Sequence, residues 1–137
     1  MSSGHLLIER FVTILILAAG LSHAIQPARW AALFRDLLPK QYAALYIGTL
    51  TLPLGLLIVL THNVWIVDWA VIVTIMGWGW TTKSCLYLVM PATLDRFRET
   101  ATGPRAERTF RVAGGFAAAL GGMMVWRFFL IPASVVG

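Results

Sequence analysis

Residues 42–61 read YAALYIGTLTLPLGLLIVLT, twenty positions without a charged side chain. A helix of this length covers the roughly 30 Å hydrocarbon core of a bilayer, and a helix apolar on every side has no face to offer water. Three more apolar stretches of near-spanning length lie at about 7–25, 66–90 and 111–131, with polar residues collected between them. A soluble chain of 137 residues has too small an interior to cover four such segments. The expected fold is therefore all-α: an integral membrane four-helix bundle with a short interfacial amphipathic helix between spans 1 and 2. Residues 1–137 form a single transmembrane domain, with connecting loops at 26–41 and 91–110, the second reading as a solvated loop or a short helix pair around Gly103-Pro104.

Composition agrees with this solvent. Hydrophobic residues make up 58% of the chain, charged residues 12%, and the mean hydropathy is +0.76. The net charge of +5 does not point to nucleic acid, because the basic residues flank the apolar segments, where anionic lipid headgroups meet them. The bilayer is thus the first partner. Cys85 is the only cysteine, which excludes an intrachain disulfide and a cysteine metal cluster. Phe11–Ala19 followed by Ser22-His23-Ala24 has the outline of a secretory signal, but Glu9 beside Arg10 leaves little positive charge ahead of the apolar run, so a first membrane span is expected instead.

Charge also orients the chain. The 26–41 and 91–111 connections carry Arg29, Arg35, Lys40, Arg96, Arg98, Arg105, Arg108 and Arg111; the opposite side carries only Arg10 and Arg127. The positive-inside rule then places the basic connections in the cytoplasm. The chain reads as a multi-pass protein of the inner (plasma) membrane with both termini outside the cytoplasm.

Local patterns refine the elements. After Pro27, apolar residues at Trp30, Leu33, Phe34, Leu37 and Leu38 recur with helical spacing, and Arg29, Asp36 and Lys40 fall largely opposite, so this connection reads as an amphipathic helix in the interface. Pro53 and Gly55 predict a kink in span 2. In span 4, Gly114, Ala118 and Gly122 repeat every four residues beside Gly115 and Gly121, a spacing that lets helix backbones approach closely within lipid. The partner helix belongs either to this chain or to another. Trp78 and Trp80 point about 200° apart on a helix, so at least one is expected to face lipid, a cofactor or another subunit.

Polar residues fall near the two membrane faces. The inner group contains His23, Thr81, Lys83 and Tyr87; the outer contains Glu9, His62, Asn63, Asp68 and Arg127. Lys83 lies within span 3, where a charge costs about 2.5–3.5 kcal/mol on insertion scales. It reads as an interfacial anchor or a hydrogen-bond partner of His23, and alternatively as an ion, proton or substrate site. His62 beside Asn63 reads as a cap or interface residue in a tight turn. Glu9, His62 and Asp68 could form an outward acid/base or metal cluster, although hydrogen bonding to water and headgroups is the commoner role. Ala19-x-x-x-His23 followed by Trp30 resembles the pigment-binding histidine pattern of bacterial light-harvesting polypeptides. That resemblance covers about a dozen residues and implies a tetrapyrrole, haem or bacteriochlorophyll, on His23; a helix-end histidine satisfied within the protein is the simpler reading.

No metal site is expected, and no HExxH, glycine-rich phosphate loop or Gly-x-Ser-x-Gly is present, so catalysis is not expected. The function expected is that of a non-catalytic structural or assembly subunit of a larger membrane complex, respiratory or photosynthetic. It would contact other membrane-protein subunits, or itself, through span 4. The alternatives are a small transporter or channel using Lys83, and a tetrapyrrole or metal binder or intramembrane enzyme using His23.

Overall fold

The structure, a computed structural model, describes residues 3–131, and these are helical with short connections and no strand. The helices are α1 (Ser3–Ile25), α2 (Pro27–Leu37), α3 (Ala43–Thr61), α4 (Ala70–Val89), α5 (Thr93–Thr102) and α6 (Ala106–Val125). A π-helical segment, Trp126–Leu130, prolongs α6. Three helical stretches are long and apolar enough to cross a membrane: Gly4–Ile25, Ala43–Thr61 and Ala106–Leu130. The fourth long helix, α4, has 20 residues, but Thr81-Thr82-Lys83-Ser84 dilutes its apolar run. Of the two connections, 26–41 contains α2 at the expected amphipathic stretch, and 91–110 contains α5 and the first turn of α6, the helix pair of its two readings. Pro27 opens α2 where its missing N–H costs nothing. Pro53 lies inside α3, which continues through it to Thr61.

The long helices associate as two pairs, α1 with α6 and α3 with α4, and α1 makes the main contact between the pairs. Helices bathed in lipid gain little by hiding apolar surface from one another, so attraction must come from close contact along the backbone. Glycine supplies that contact in both pairs. A Cβ built on Gly121 would lie 2.8 Å from Leu17, and one on Gly114 would lie 2.5 Å from the Ala24 nitrogen. Across the other pair, a Cβ on Gly55 would meet Thr81 at 2.6 Å and one on Gly77 would meet Ile58 at 2.5 Å. Thr51 and Ser84 add a 2.6 Å hydrogen bond between α3 and α4.

Two apolar layers join the pairs at their ends. One gathers Val12, Ile16, Ile58, Val73, Met124 and Phe128. The other brings Ala31, Leu38, Ala43, Tyr87, Leu94 and Phe110 together, so that α2 and α5 cap the bundle at the arginine-rich end. Trp30, Phe34 and Leu37, on the apolar face read from the sequence, pack on this second layer. Their destination is protein as well as interface.

The glycine contacts generate a direct test. Gly121→Leu should overpack α1 against α6 and lower the thermal midpoint in detergent, because forced repacking costs about 1–3 kcal/mol or more. Gly79→Leu, where an added Cβ meets nothing within 4 Å, should leave that midpoint unchanged. Equal behaviour of the two variants in a thermal-shift assay would discard the pairing.

Candidate functional site

The outward polar residues separate into two arrangements. Glu9, on the second turn of α1, and His62, which ends α3, are both fully buried and face each other with Oε1 and Nε2 3.1 Å apart. The other ring nitrogen of His62 lies 3.1 Å from Thr74 Oγ1 on α4. Thr74 is itself saturated: its hydroxyl accepts from Val64 N–H at 3.0 Å and lies 3.0 Å from Val64 O, to which it donates. The Nδ1–H of His62 is then the donor toward Oγ1. A single proton completes the Nε2 to Oε1 contact. One chain of hydrogen bonds therefore ties α1 to α3, α4 and the connection between them.

His62 is the C-cap of α3, its backbone N–H donating to Ile58 O at 2.7 Å, but its side chain is buried and does not lie at the interface. The turn after α3 folds inward because Thr74 satisfies Val64 N–H and O, groups that would otherwise reach water. That leaves the imidazole under the α1 helix instead of at the surface. His5 approaches the same ring edge-on, with centroids 5.4 Å apart. Glu9 Oε2 is buried without a partner, so the pair is not fully satisfied by the protein. Among the described residues no group of three histidine, cysteine, aspartate or glutamate side chains could hold a metal ion.

Asp68 does not join that pair. It binds Arg127 at 3.2 Å, fastening the connection before α4 to the π-helical segment. Arg10 reinforces the same end by donating to Phe128 O at 3.1 Å, and its guanidinium lies 5.1 Å from the centre of the Phe129 ring. Asn63 faces outward, where its Oδ1 accepts from both Trp65 and Trp78. Trp78 is thereby held at the surface while Trp80 packs on the core, so the opposed directions expected for this pair are observed.

The inner polar residues are dispersed. His23 donates from Nδ1 to Ala19 O at 2.7 Å and stacks on Trp30 with centroids 4.0 Å apart. Trp30 in turn donates to Ser22 Oγ, and the stack continues to Phe34 and Phe110. The i−4 position of the histidine thus serves through its carbonyl, and one ring face is covered by indole. Thr81 is buried at the α3–α4 contact beside Gly55, its hydroxyl unpartnered. Lys83 makes no ion pair among the described residues and has no bond to His23. It lines a hollow with Tyr87 and, from α5, Arg96. The sequence names Lys83 but not Arg96 as its neighbour, since the packing of α5 against α4 is a tertiary contact.

Span 4 resolves into two faces. Gly114, Ala118 and Gly121 are consumed by α1. Gly115 and Gly122 have open space around them, and Val112, Phe116, Ala119, Met123 and Trp126 are exposed on the same side. No family model matches the chain, and no curated protein or solved structure matches it.

The Glu9–His62 pair can be tested by a double-mutant cycle. Removing one partner of a buried pair leaves the other uncompensated and costs about 3–5 kcal/mol, whereas apolar replacement of both can be nearly neutral. Glu9→Leu and His62→Leu should each destabilise strongly in detergent unfolding, and the double variant should lose much less than their sum. Additive losses would mean the two side chains act independently.

Proposed function

We propose that this protein is a four-span subunit of an inner-membrane complex, without catalytic activity of its own, that docks on a neighbouring membrane protein through the outer face of α6. The observation that carries this reading is the exposed seam Val112, Gly115/Phe116, Ala119, Gly122/Met123 and Trp126. Its positions recur at intervals of 3 and 4, averaging 3.5, the repeat of a helix that packs along another helix. Small residues alternate with large ones along it. Beside it lies a hollow of about 630 Å³ bounded by Trp69, Ala119, Gly122, Met123 and Trp126. Bulk lipid needs no such extended relief, because fluid acyl chains pack equally well on a uniform surface of Leu and Ile. A second helix does need it, since close backbone approach is what holds helices together in hydrocarbon.

The crossing of α4 supports four spans in this reading, since α4 lies beside α3 for its length and equals it in extent. Its polar quartet is accommodated within the protein at two positions: Ser84 bonds Thr51, and Thr81 is covered by α3. The basic residues gather at the α2–α5 end, which the positive-inside rule assigns to the cytoplasm. A transport role through Lys83 has less behind it, because Lys83 opens to a hollow on the surface and not to a path between the helix pairs.

Association is the decisive measurement. Native mass spectrometry of mildly solubilised membranes should find the chain in a larger species, and Gly115→Leu combined with Gly122→Leu should abolish that species while leaving thermal stability intact. If the species persists in the double variant, the seam is not the docking face. Reporter fusions provide a separate check on topology: a fusion near Thr100 should be active only with a cytoplasmic reporter.

A further inference from the structure

The hollow beside Lys83 has a volume of about 620 Å³ and lies at the arginine-rich end of the bundle, between α4 and α5. Trp78, Gly79, Lys83 and Tyr87 form its α4 wall; Thr93 and Arg96 close it from α5. Two cations from different helices thus share one concavity. Neither is neutralised: among the described residues the ion pairs are Arg35–Glu107, Glu9–His62 and Asp68–Arg127. Asp95 and Glu99, the acidic neighbours on α5, pair with neither cation. Tyr87 has no hydrogen-bond partner for its phenol within the described residues, whereas Thr93 already donates to Met90 O.

Depth selects the ligand. Lys83 stands six residues before the end of α4, about 9 Å inside it at 1.5 Å per residue. Its four-carbon stem can carry the ammonium most of that distance toward the headgroup level, which is where Arg96 already is. The upper part of the hollow is different. Gly79 leaves an open slot next to Trp78, apolar and too deep for a solute from water. A molecule filling both parts has an anionic group at the interface and a hydrocarbon chain above it.

We propose that this hollow is a binding site for one anionic phospholipid of the adjoining leaflet, with Lys83 and Arg96 on the phosphate, the Tyr87 hydroxyl as a further donor, and an acyl chain along Gly79 and Trp78. The proposal rests on the membrane reading but not on the α6 docking face, so either can fail alone. Charge complementarity sets its selectivity: the phosphate of a phosphatidylcholine is neutralised by its own choline, while that of a phosphatidylglycerol needs a cation from the protein.

The experiment is native mass spectrometry of the full chain in detergent, titrated with phosphatidylglycerol, phosphatidylcholine, or soluble glycerol phosphate. The first lipid added should bind about tenfold more tightly as phosphatidylglycerol, the equivalent of one charge-assisted hydrogen bond. Lys83→Met with Arg96→Gln should erase that preference, and Lys83→Arg with Arg96→Lys should retain it. Gly79→Leu should displace the lipid with both charges in place, a steric result that does not depend on the fate of the charge variants. Arg108→Gln, removing a cation at the same end but outside the hollow, should change nothing. Equal binding of the two lipids, survival of the preference in K83M/R96Q, or unhindered binding to G79L would overturn the proposal. Glycerol phosphate binding as tightly as the lipid would overturn it in favour of a soluble phosphate.

Discussion

Close backbone contact is the constraint on which this structure depends. In water the two helix pairs would be driven together by burial of side chains, but lipid tails are as apolar as leucine and remove that force. What remains is dispersion, which decays steeply with distance, so helices must be brought within touching range of each other's main chain. Gly114 and Gly121 do this for α1 and α6, and Gly55 and Gly77 for α3 and α4. The buried polar contacts then acquire their geometry. Thr51 reaches Ser84, and Thr81 is covered, because the glycines have already set the separation of α3 and α4.

The two pairs meet through different chemistry at their two ends. At one, Glu9, His62 and Thr74 form a polar bridge inside an apolar layer, with Asp68–Arg127 beside it. Such groups are expensive to bury, and an apolar set of the same volume could hold the helices as firmly. Their advantage is register, since a hydrogen bond is satisfied at one helix position and lost a turn away. At the other end Ala43, Ala44 and Tyr87 of α3 and α4 pack on Ala31, Leu38, Leu94 and Phe110 without buried charge, and the His23, Trp30, Phe34 and Phe110 stack fastens α2 to α1 and α6.

Much of this was legible from spacing alone. Apolar runs located the four long helices to within a few residues, and the amphipathic period located α2, because both patterns are local. In the polar connection at 91–110 spacing leaves a loop and a short helix pair both open; the choice falls to the helix because Leu94 and Ala101 pack on the cap, a tertiary effect. Span 4 shows a second limit. Gly114-Gly115 and Gly121-Gly122 are adjacent pairs, and neighbouring positions on a helix differ by about 100°. Both the inner and the outer face therefore carry the same signature, and only the position of α1 separates Gly114 and Gly121 from Gly115 and Gly122. His62 illustrates a third. Its burial depends on Thr74, twelve residues away, capturing the Val64 backbone, and nothing in the His62-Asn63 dipeptide encodes that event.

The placement of polar groups also bears on where function resides. A bundle whose internal polar atoms were broadly unsatisfied would suggest a water-filled path through it. Here the interior is mostly closed among the described residues: Ser84, Thr13 and Thr74 return their hydroxyls to backbone carbonyls, and of the exceptions Glu9 Oε2 lies by the His62 end while Thr81 Oγ1 lies midway along the α3–α4 contact against Gly55. The open features are on the outside instead. They are the glycine seam of α6 with its tryptophan-edged hollow, and the cationic recess of α4 and α5. The first is mainly apolar, its one cation Arg127 already paired with Asp68, and the second holds the unpaired Lys83 and Arg96 beside Trp78 and Gly79, so the two differ in the chemistry they offer. A protein built in this way carries its open features on its perimeter, and its tightly paired core holds that perimeter in register.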